Sequence, residues 1–379
     1  VDGGRPARAS RRAAGKERTM TAATSQAAGR NWLRRRRGLL IAVGLMVAFP
    51  FAVSVIVDGA GLGAVLHNDQ GNARFLQGLA IEVFILALYA ISYDLILGIT
   101  GLLSFGHAMF FAVGAYTFGI ALKSFDLNWI VALLIVLVAA LLQALLFSVV
   151  LPRVKGITFA LVTLGLASVF WIVIRSSDLQ QWAGAEIGLQ GVPAPVWFLD
   201  TTNQRFLFYL ITLGIVAATY VLYTRIADSP AGRVFSAIRE NEERALMLGY
   251  NTFWFKLLVL VIASITASLA GVIHTIHQPI ITPNIAALGW MVTALLVVLI
   301  GGLGTISGAI VGAAVFRLLQ YYLDKWFGAA ADLLIGVAYV LLVLYLPHGI
   351  VGTWRAGRVG RSRLRTRLGH SAEEAAPAD

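Results

Sequence analysis

Residues 206–224 read FLFYLITLGIVAATYVLYT, residues 254–275 read WFKLLVLVIASITASLAGVIHT, and between them lies DSPAGRVFSAIRENEERALMLGY, residues 228–250. Each flanking run is nearly unbroken apolar sequence of about 20 residues, the length at which a helix crosses a hydrocarbon core of about 30 Å. The middle run is the longest strongly charged island in the interior of the chain. A polar segment held between two membrane-length runs makes the chain polytopic. Helices are the expected form, because in lipid every backbone polar group must be satisfied within its own segment.

The whole chain extends this reading. Of its 379 residues 58% are hydrophobic and only 13% charged, against roughly a quarter charged in soluble domains. Ten spans are predicted, at 38–57, 75–97, 102–122, 129–151, 157–174, 206–224, 254–275, 288–303, 305–323 and 332–351. The glycine-rich junctions GITGLLSFGH (98–107) and GGLGTISG (301–308) touch the third, eighth and ninth of these. Tight turns, helix breaks and re-entrant pieces all fit there.

Charge sets the orientation. Segments 1–37, 152–156, 225–256 and 352–379 hold 24 of the 30 Lys and Arg, which places them and both termini on the cytoplasmic side. The formal charge of +11 therefore reads as topology, not as nucleic-acid binding. Trp32, Trp129, Trp254, Trp326 and Trp354 fall near predicted span ends, as interfacial aromatics should. Residues 1–37 and 353–379 read as disordered cytoplasmic tails around a membrane domain at 38–352, with Met20 an alternative start to Val1. No cleavable signal peptide is evident.

Enzyme chemistry finds no support. There is no cysteine, and no phosphate loop, HExxH or G-x-S-x-G pattern. No catalytic residue, metal site or cofactor is expected, and any ATP that drives transport must be hydrolysed on another chain.

The charged island has helix signals. Ser229 and Pro230 suit an N-cap and first turn, and Gly249 a stop. Val234, Ile238, Ala245 and Leu248 form an apolar stripe among Arg233, Arg239, Glu240, Glu242, Glu243 and Arg244. A helix lying on lipid favours a cationic polar face; mixed signs suit a protein cleft better. Elsewhere Ser104, Gly106, His107, Gly114, Gly304 and Gly308 are candidates for a translocation pathway or for close helix packing. His107 fits a proton-carrying role or a span-end histidine satisfied by a backbone carbonyl. Gly304, Gly308 and Gly312 make a seam at spacing four, and Gly98, Gly101 and Ser104 share their spacing with Gly301, Gly304 and Ser307. Glu82, Asp94 and Arg317 are charges inside predicted spans, costly unless paired or facing a cavity. A Glu82–Arg317 pair would relieve two of them, though nothing in the linear sequence specifies it. Glu82, Asp94 and His107 also define the alternative function, an ion-coupled secondary transporter.

Six stretches in order resemble the permease subunits of branched-chain amino acid ABC importers, of the LivM-like type. They are LILGITGLLSFGHAMFFAVGAYTFGI (95–120), VKGITFALVTLGLA (154–167), GLQGVP (188–193), GRVFSAIRENEERALMLGYN (232–251), IGGLGTISGAIVGA (300–313) and LPHGIVG (346–352). The resemblance covers about residues 38–352. It implies an all-α polytopic membrane protein of about ten transmembrane helices, with the importer fold shared by vitamin and siderophore permeases. It implies that 228–250 is a coupling helix in which Gly232, Arg233, Ala237, Ile238, Arg239, Glu243 and Gly249 contact an ATPase or shape that contact. It further implies two ATPase subunits that bind the ATP, a second homologous permease, an extracytoplasmic binding protein and a prokaryotic inner membrane. The chain departs from the pattern at Thr293, where many members carry an acid, and at Asp94, where many carry asparagine.

Overall fold

The computed structural model describes residues 38–56, 71–345 and 349–354. The tail read at 1–37 with Trp32, residues 355–379 of the tail read at 353–379, and the first three residues of LPHGIVG lie outside the described residues. Residues 349–354 are helical, and the Thr353 hydroxyl donates to the Gly349 carbonyl at 2.7 Å. Thr353 and Trp354 thus belong to a helical turn, not to the expected tail.

The helices are α1 (Gly38–Ile56), α2 (Asn72–Asp94), α3 (His107–Lys123), α4 (Trp129–Ser148), α5 (Ile157–Arg175), α6 (Arg205–Asp228), α7 (Pro230–Glu240), α8 (Glu242–Met247), α9 (Thr252–His277), α10 (Leu288–Gly301), α11 (Ile306–Phe327) and α12 (Ala331–Tyr345). Seven among the described residues are long and apolar enough to cross a membrane: α1, α2 with its continuation to Ile99, α4, α5, α6, α9 and α11. The third, eighth and tenth predicted spans hold the shorter helices α3, α10 and α12, of 17, 14 and 15 residues. At about 1.5 Å per residue α10 reaches about 21 Å, less than a hydrocarbon core. The chain before it folds back instead. There β2 (Ile280–Ile281) pairs antiparallel with β1 (Leu189–Gln190), and a 3-10 turn follows at Pro283–Ala286.

Two helices form the axis. From Phe84 to Ile96 every residue of α2 and its continuation is buried, as expected for a helix apolar on all sides. It packs against α6, α9, α10 and α11, while α9 also packs against α3 and α4. The periphery is inside out by soluble standards. Helix α4 buries Ala132, Val136, Ala140 and Ala144 and exposes Ile130, Leu134, Val138, Leu142 and Leu145. Lipid covers such large residues at no cost, so small ones are left to mediate helix contact.

Close approach and hydrogen bonds hold α3, α4 and α9 together. A Cβ at Gly114 would overlap the backbone of Ser268, and one at Gly271 would overlap the Phe111 carbonyl. Around this contact Gln143 Nε2 donates to Ser264 Oγ at 2.9 Å and Ser268 Oγ at 3.0 Å. Ser264 donates on to the Ala140 carbonyl at 2.7 Å and Ser268 to the Phe110 carbonyl at 2.9 Å. The substitution Gly114→Val is therefore expected to cost about 1–3 kcal/mol through overpacking, read as a lower unfolding midpoint in detergent. Gly165→Ala, where a Cβ meets open space, should leave that midpoint unchanged.

Candidate functional site

The charged island folds as an elbow. Ser229 turns the chain out of α6; its Oγ accepts from the Gly232 N–H at 3.2 Å while its hydroxyl donates to the Ile226 carbonyl at 2.6 Å. Pro230 occupies the first turn of α7. Gly232 is required by space, since a Cβ there would overlap the carbonyls of Ile226 and Ala227. The segment expected as one helix over 228–250 is two. Asn241 is extended at φ −162° and its Oδ1 accepts from the Arg244 N–H at 3.0 Å, capping α8. An asparagine that bonds the local backbone in this way competes with continued helix. Beyond α8, Gly249 at φ 87° turns the chain toward α9.

The apolar stripe is used internally. Val234, Phe235, Ile238 and Ala245 are buried, and Phe235 meets Phe255 edge-on at 6.1 Å. Gly232 and Ile238 are buried and Ala237 is half-buried, and Ala237 packs on the cluster of Val234, Ile238 and Ala245 within the chain. A sequence period reveals an apolar face but not what covers it. The outward surface carries Arg233, Glu240, Glu243 and Arg244, with an apolar tip at Met247 and Leu248, 86% and 69% exposed. Leu248 therefore leaves the stripe it was read into. Glu242 pins the elbow to α9, pairing with the buried Lys256 and accepting from Thr252 Oγ1 at 3.1 Å. Burial pushes the Glu242 carboxyl up, but the Lys256 bond and charge and the Thr252 bond outweigh it and hold its pKa below the usual value.

The two glycine junctions meet beneath this elbow. Helix α2 continues as a π-helical turn over Leu95–Ile99, and the chain then breaks until α3 starts at His107. The junction at 301–308 is instead a tight turn between α10 and α11, with Gly304 at φ 73°. Gly98 and Gly304 lie back to back, for a Cβ at Gly98 would overlap both the Gly304 nitrogen and Asp94 Oδ1. Asp94, fully buried, accepts from the Gly304 N–H at 2.7 Å through Oδ1. Its Oδ2 is buried without a donor among the described residues. Arg239 reaches in from α7 and donates from Nη1 to the Gly98 carbonyl. Beside the contact lies a cavity of about 400 Å³ whose lining includes Thr224, Asp228, Ser236 and Ser307.

The other sequence candidates are scattered. Ser104 Oγ accepts from the Gly106 N–H at 3.4 Å, and Gly106 abuts the Phe147 ring and the Thr163 carbonyl. His107 is fully buried, with Nε2 at 2.8 Å from Ser92 Oγ and its ring stacked on Tyr89. Because Ser92 spends its proton on the Tyr89 carbonyl, His107 Nε2 is the donor in that bond and Nδ1 carries the lone pair. Its hydrogen-bond partner at Nε2 is the Ser92 hydroxyl, which itself donates to the Tyr89 carbonyl. Gly308 and Gly312 do pack on α10, at Gly301 and Val297, but Gly304 leaves that seam to face Gly98. Thr293 bonds the Gly289 carbonyl of its own helix at 3.0 Å. Glu82 pairs with Arg317. Each acid or histidine invoked for ion coupling has a protein partner.

Comparison with known proteins gives one family. The profile described as "Branched-chain amino acid transport system / permease component" matches residues 75–346. The chain is 24% identical over 330 residues to the high-affinity branched-chain amino acid transport system permease protein LivM of Escherichia coli (strain K12), covering 81% of this chain and 72% of that protein. It is 26% identical to LivM of Salmonella typhimurium, over 84% and 75% of the two chains. It is 25% identical to the permease protein LivH of Escherichia coli (strain K12), over 70% and 91%. No solved structure matches the chain.

The Glu242 tie carries a pH signature. Its pKa is depressed on folding, so the stabilisation is complete above the unfolded carboxylate pKa and is lost only as pH falls through the lower folded value. Amide-exchange protection over residues 241–250 in the intact protein, taken relative to the intrinsic rate at each pH, should persist at neutral pH and fall only once pH drops below the ordinary glutamate range. Glu242→Gln should lack that protection already at neutral pH.

Proposed function

The chain belongs to the branched-chain amino acid transport permease family, and from that premise we propose that it is the membrane-spanning subunit of an ATP-binding-cassette importer for branched-chain or related amino acids. Two ATPase subunits bind and hydrolyse the ATP, a second homologous permease completes the membrane pathway, and an extracytoplasmic binding protein delivers substrate. The ten predicted segments all cross or enter a prokaryotic inner membrane, with both termini and the elbow cytoplasmic. The chain itself binds no cofactor.

The observation that carries this reading is the elbow fastened to two chain breaks. A partner ATPase grips the tip at Met247 and Leu248, while Arg233, Glu240, Glu243 and Arg244 set the register. ATP-driven closure then moves α7 and α8 as one body, because their apolar stripe is locked into the bundle and Glu242 is tied to Lys256. Arg239 passes that motion to the Gly98 carbonyl, and Asp94 ties the same place to Gly304. The push therefore lands where α2 leaves the α-helical pattern and where α10 turns into α11. These are breaks at which spans tilt without rupturing helix hydrogen bonds.

Reconstitution of the permease pair with its ATPases and binding protein tests this. Met247→Glu combined with Leu248→Glu should abolish recovery of the ATPases with the permease and lower ATP-driven leucine uptake by about tenfold or more, as loss of a central apolar anchor does. The unfolding midpoint should not change, because both side chains are exposed. Arg239→Glu should leave the ATPases bound but uncouple their hydrolysis from uptake. Normal uptake in both variants refutes the elbow as the coupling element.

A further inference from the structure

The end of the bundle opposite the elbow carries a polar cluster that coupling does not use. Glu82 lies ten positions from Asn72 at one end of α2, and Arg317 ten positions from Phe327 at the corresponding end of α11. Both therefore sit about 15 Å inside their helices. Arg317 donates to Glu82 Oε2 from Nε at 2.8 Å and again from Nη2. Arg317 Nη1 also donates to Gln320 Oε1 at 2.8 Å, and Gln278 Nε2 donates to Glu82 Oε1 at 3.1 Å. The pair is not sealed in the core, for the two side chains are 28% and 22% exposed and Gln278 is exposed.

An ion pair open to lipid at this depth would be costly, so this face is covered by water or by protein. The contrast with α4, whose exposed face is apolar throughout its length, separates a polar face from a lipid face. One helical face of α2 continues from Glu82 to Phe75, seven residues away. On α11, Tyr321 lies one turn beyond Arg317, and the Phe75 and Tyr321 rings meet at 5.2 Å. A guanidinium, a carboxylate and an aromatic wall thus stand together on one accessible face. Arg205 lies along the same stretch of α2, its guanidinium beside Gly78 and donating from Nη1 to the Arg74 carbonyl at 3.3 Å.

We propose that Glu82, Arg317 and Gln278 form a subsite of the translocation path that takes the head of a zwitterionic α-amino acid. The Arg317 fork receives the substrate carboxylate in bidentate fashion. Glu82 receives the ammonium, with Gln278 steadying the carboxylate oxygen that faces away from it. The apolar side chain lies against Phe75 and Tyr321. In the empty subsite the two charges satisfy one another, so neither is left bare between turnovers. Substrate exchanges one internal ion pair for two external ones and leaves when they re-form. This assignment rests on the reading of the chain as an amino acid importer subunit.

The test uses the whole complex in proteoliposomes, with leucine as the probe and ATP hydrolysis stimulated by the binding protein as a separate readout. ATP-driven leucine uptake by the wild type is the control; its absence would refute the importer reading itself, independently of the subsite. Glu82→Gln and Arg317→Gln should each slow uptake by about tenfold, as expected for losing one charged hydrogen-bond partner, while stimulated ATP hydrolysis persists. The exchange of both residues, Glu82→Arg with Arg317→Glu, restores an ion pair but reverses what substrate meets, and should not restore uptake. Undiminished uptake in either single variant, or rescue by the exchange, would overturn the subsite and leave the pair a helix tie. A further variant covers failure of assembly. In this cysteine-free chain, Gln278→Cys should react with a membrane-impermeant maleimide, and more slowly during leucine transport. No reaction, or a rate indifferent to leucine, would equally overturn the proposal.

Discussion

Helices in hydrocarbon gain little by burying apolar surface against each other, since lipid tails are as apolar as leucine. The structure depends on what replaces that force, which is close backbone contact through residues that lack bulk. Gly114 against Ser268 and Gly271 against Phe111 bring α3 and α9 together, and the Gln143, Ser264 and Ser268 hydrogen bonds become possible at that separation. With α9 set, α2 is enclosed on nearly all sides. The large apolar residues of α4 and α5 are left for lipid.

The same economy of bulk serves the junctions. Gly98 and Gly304 let two chain breaks touch, and the contact leaves room for one buried carboxylate and the stem of one arginine. A side chain at either glycine would separate the α2 break from the α10–α11 turn. Arg239 would then reach one junction, whereas here its guanidinium lies at both. The contact between the two junctions is therefore a matter of backbone proximity, with Asp94 and Arg239 as fasteners.

Much of this was legible in linear order. Ser229, Pro230 and Gly249 announce a polar segment with ends, and mixed charges on one face announce a surface not meant for lipid. The break at Asn241 was not legible, because asparagine is tolerated inside helices and only its bond to the Arg244 N–H ends one here. The direction of the stripe was hidden for a different reason. Val234, Phe235 and Ile238 would look alike whether they met an ATPase or, as they do, Phe255 of the same chain. Nor did GxxGxxS spacing reveal that its two occurrences lie against each other, since contact between residues some 200 apart leaves no local trace.

By itself the sequence determined that the chain lives in a membrane, roughly where its helices run, which segment stays polar and which family's motifs it carries. Those properties follow from local composition, because hydrocarbon filters each segment of about 20 residues separately. The tertiary structure alone decided the partners of the costly charges: Glu82 with Arg317, Asp94 with the Gly304 N–H, Glu242 with Lys256. A buried charge must find a partner somewhere, but which one depends on how helices distant in sequence pack, and that is set by the shapes of many small residues acting together.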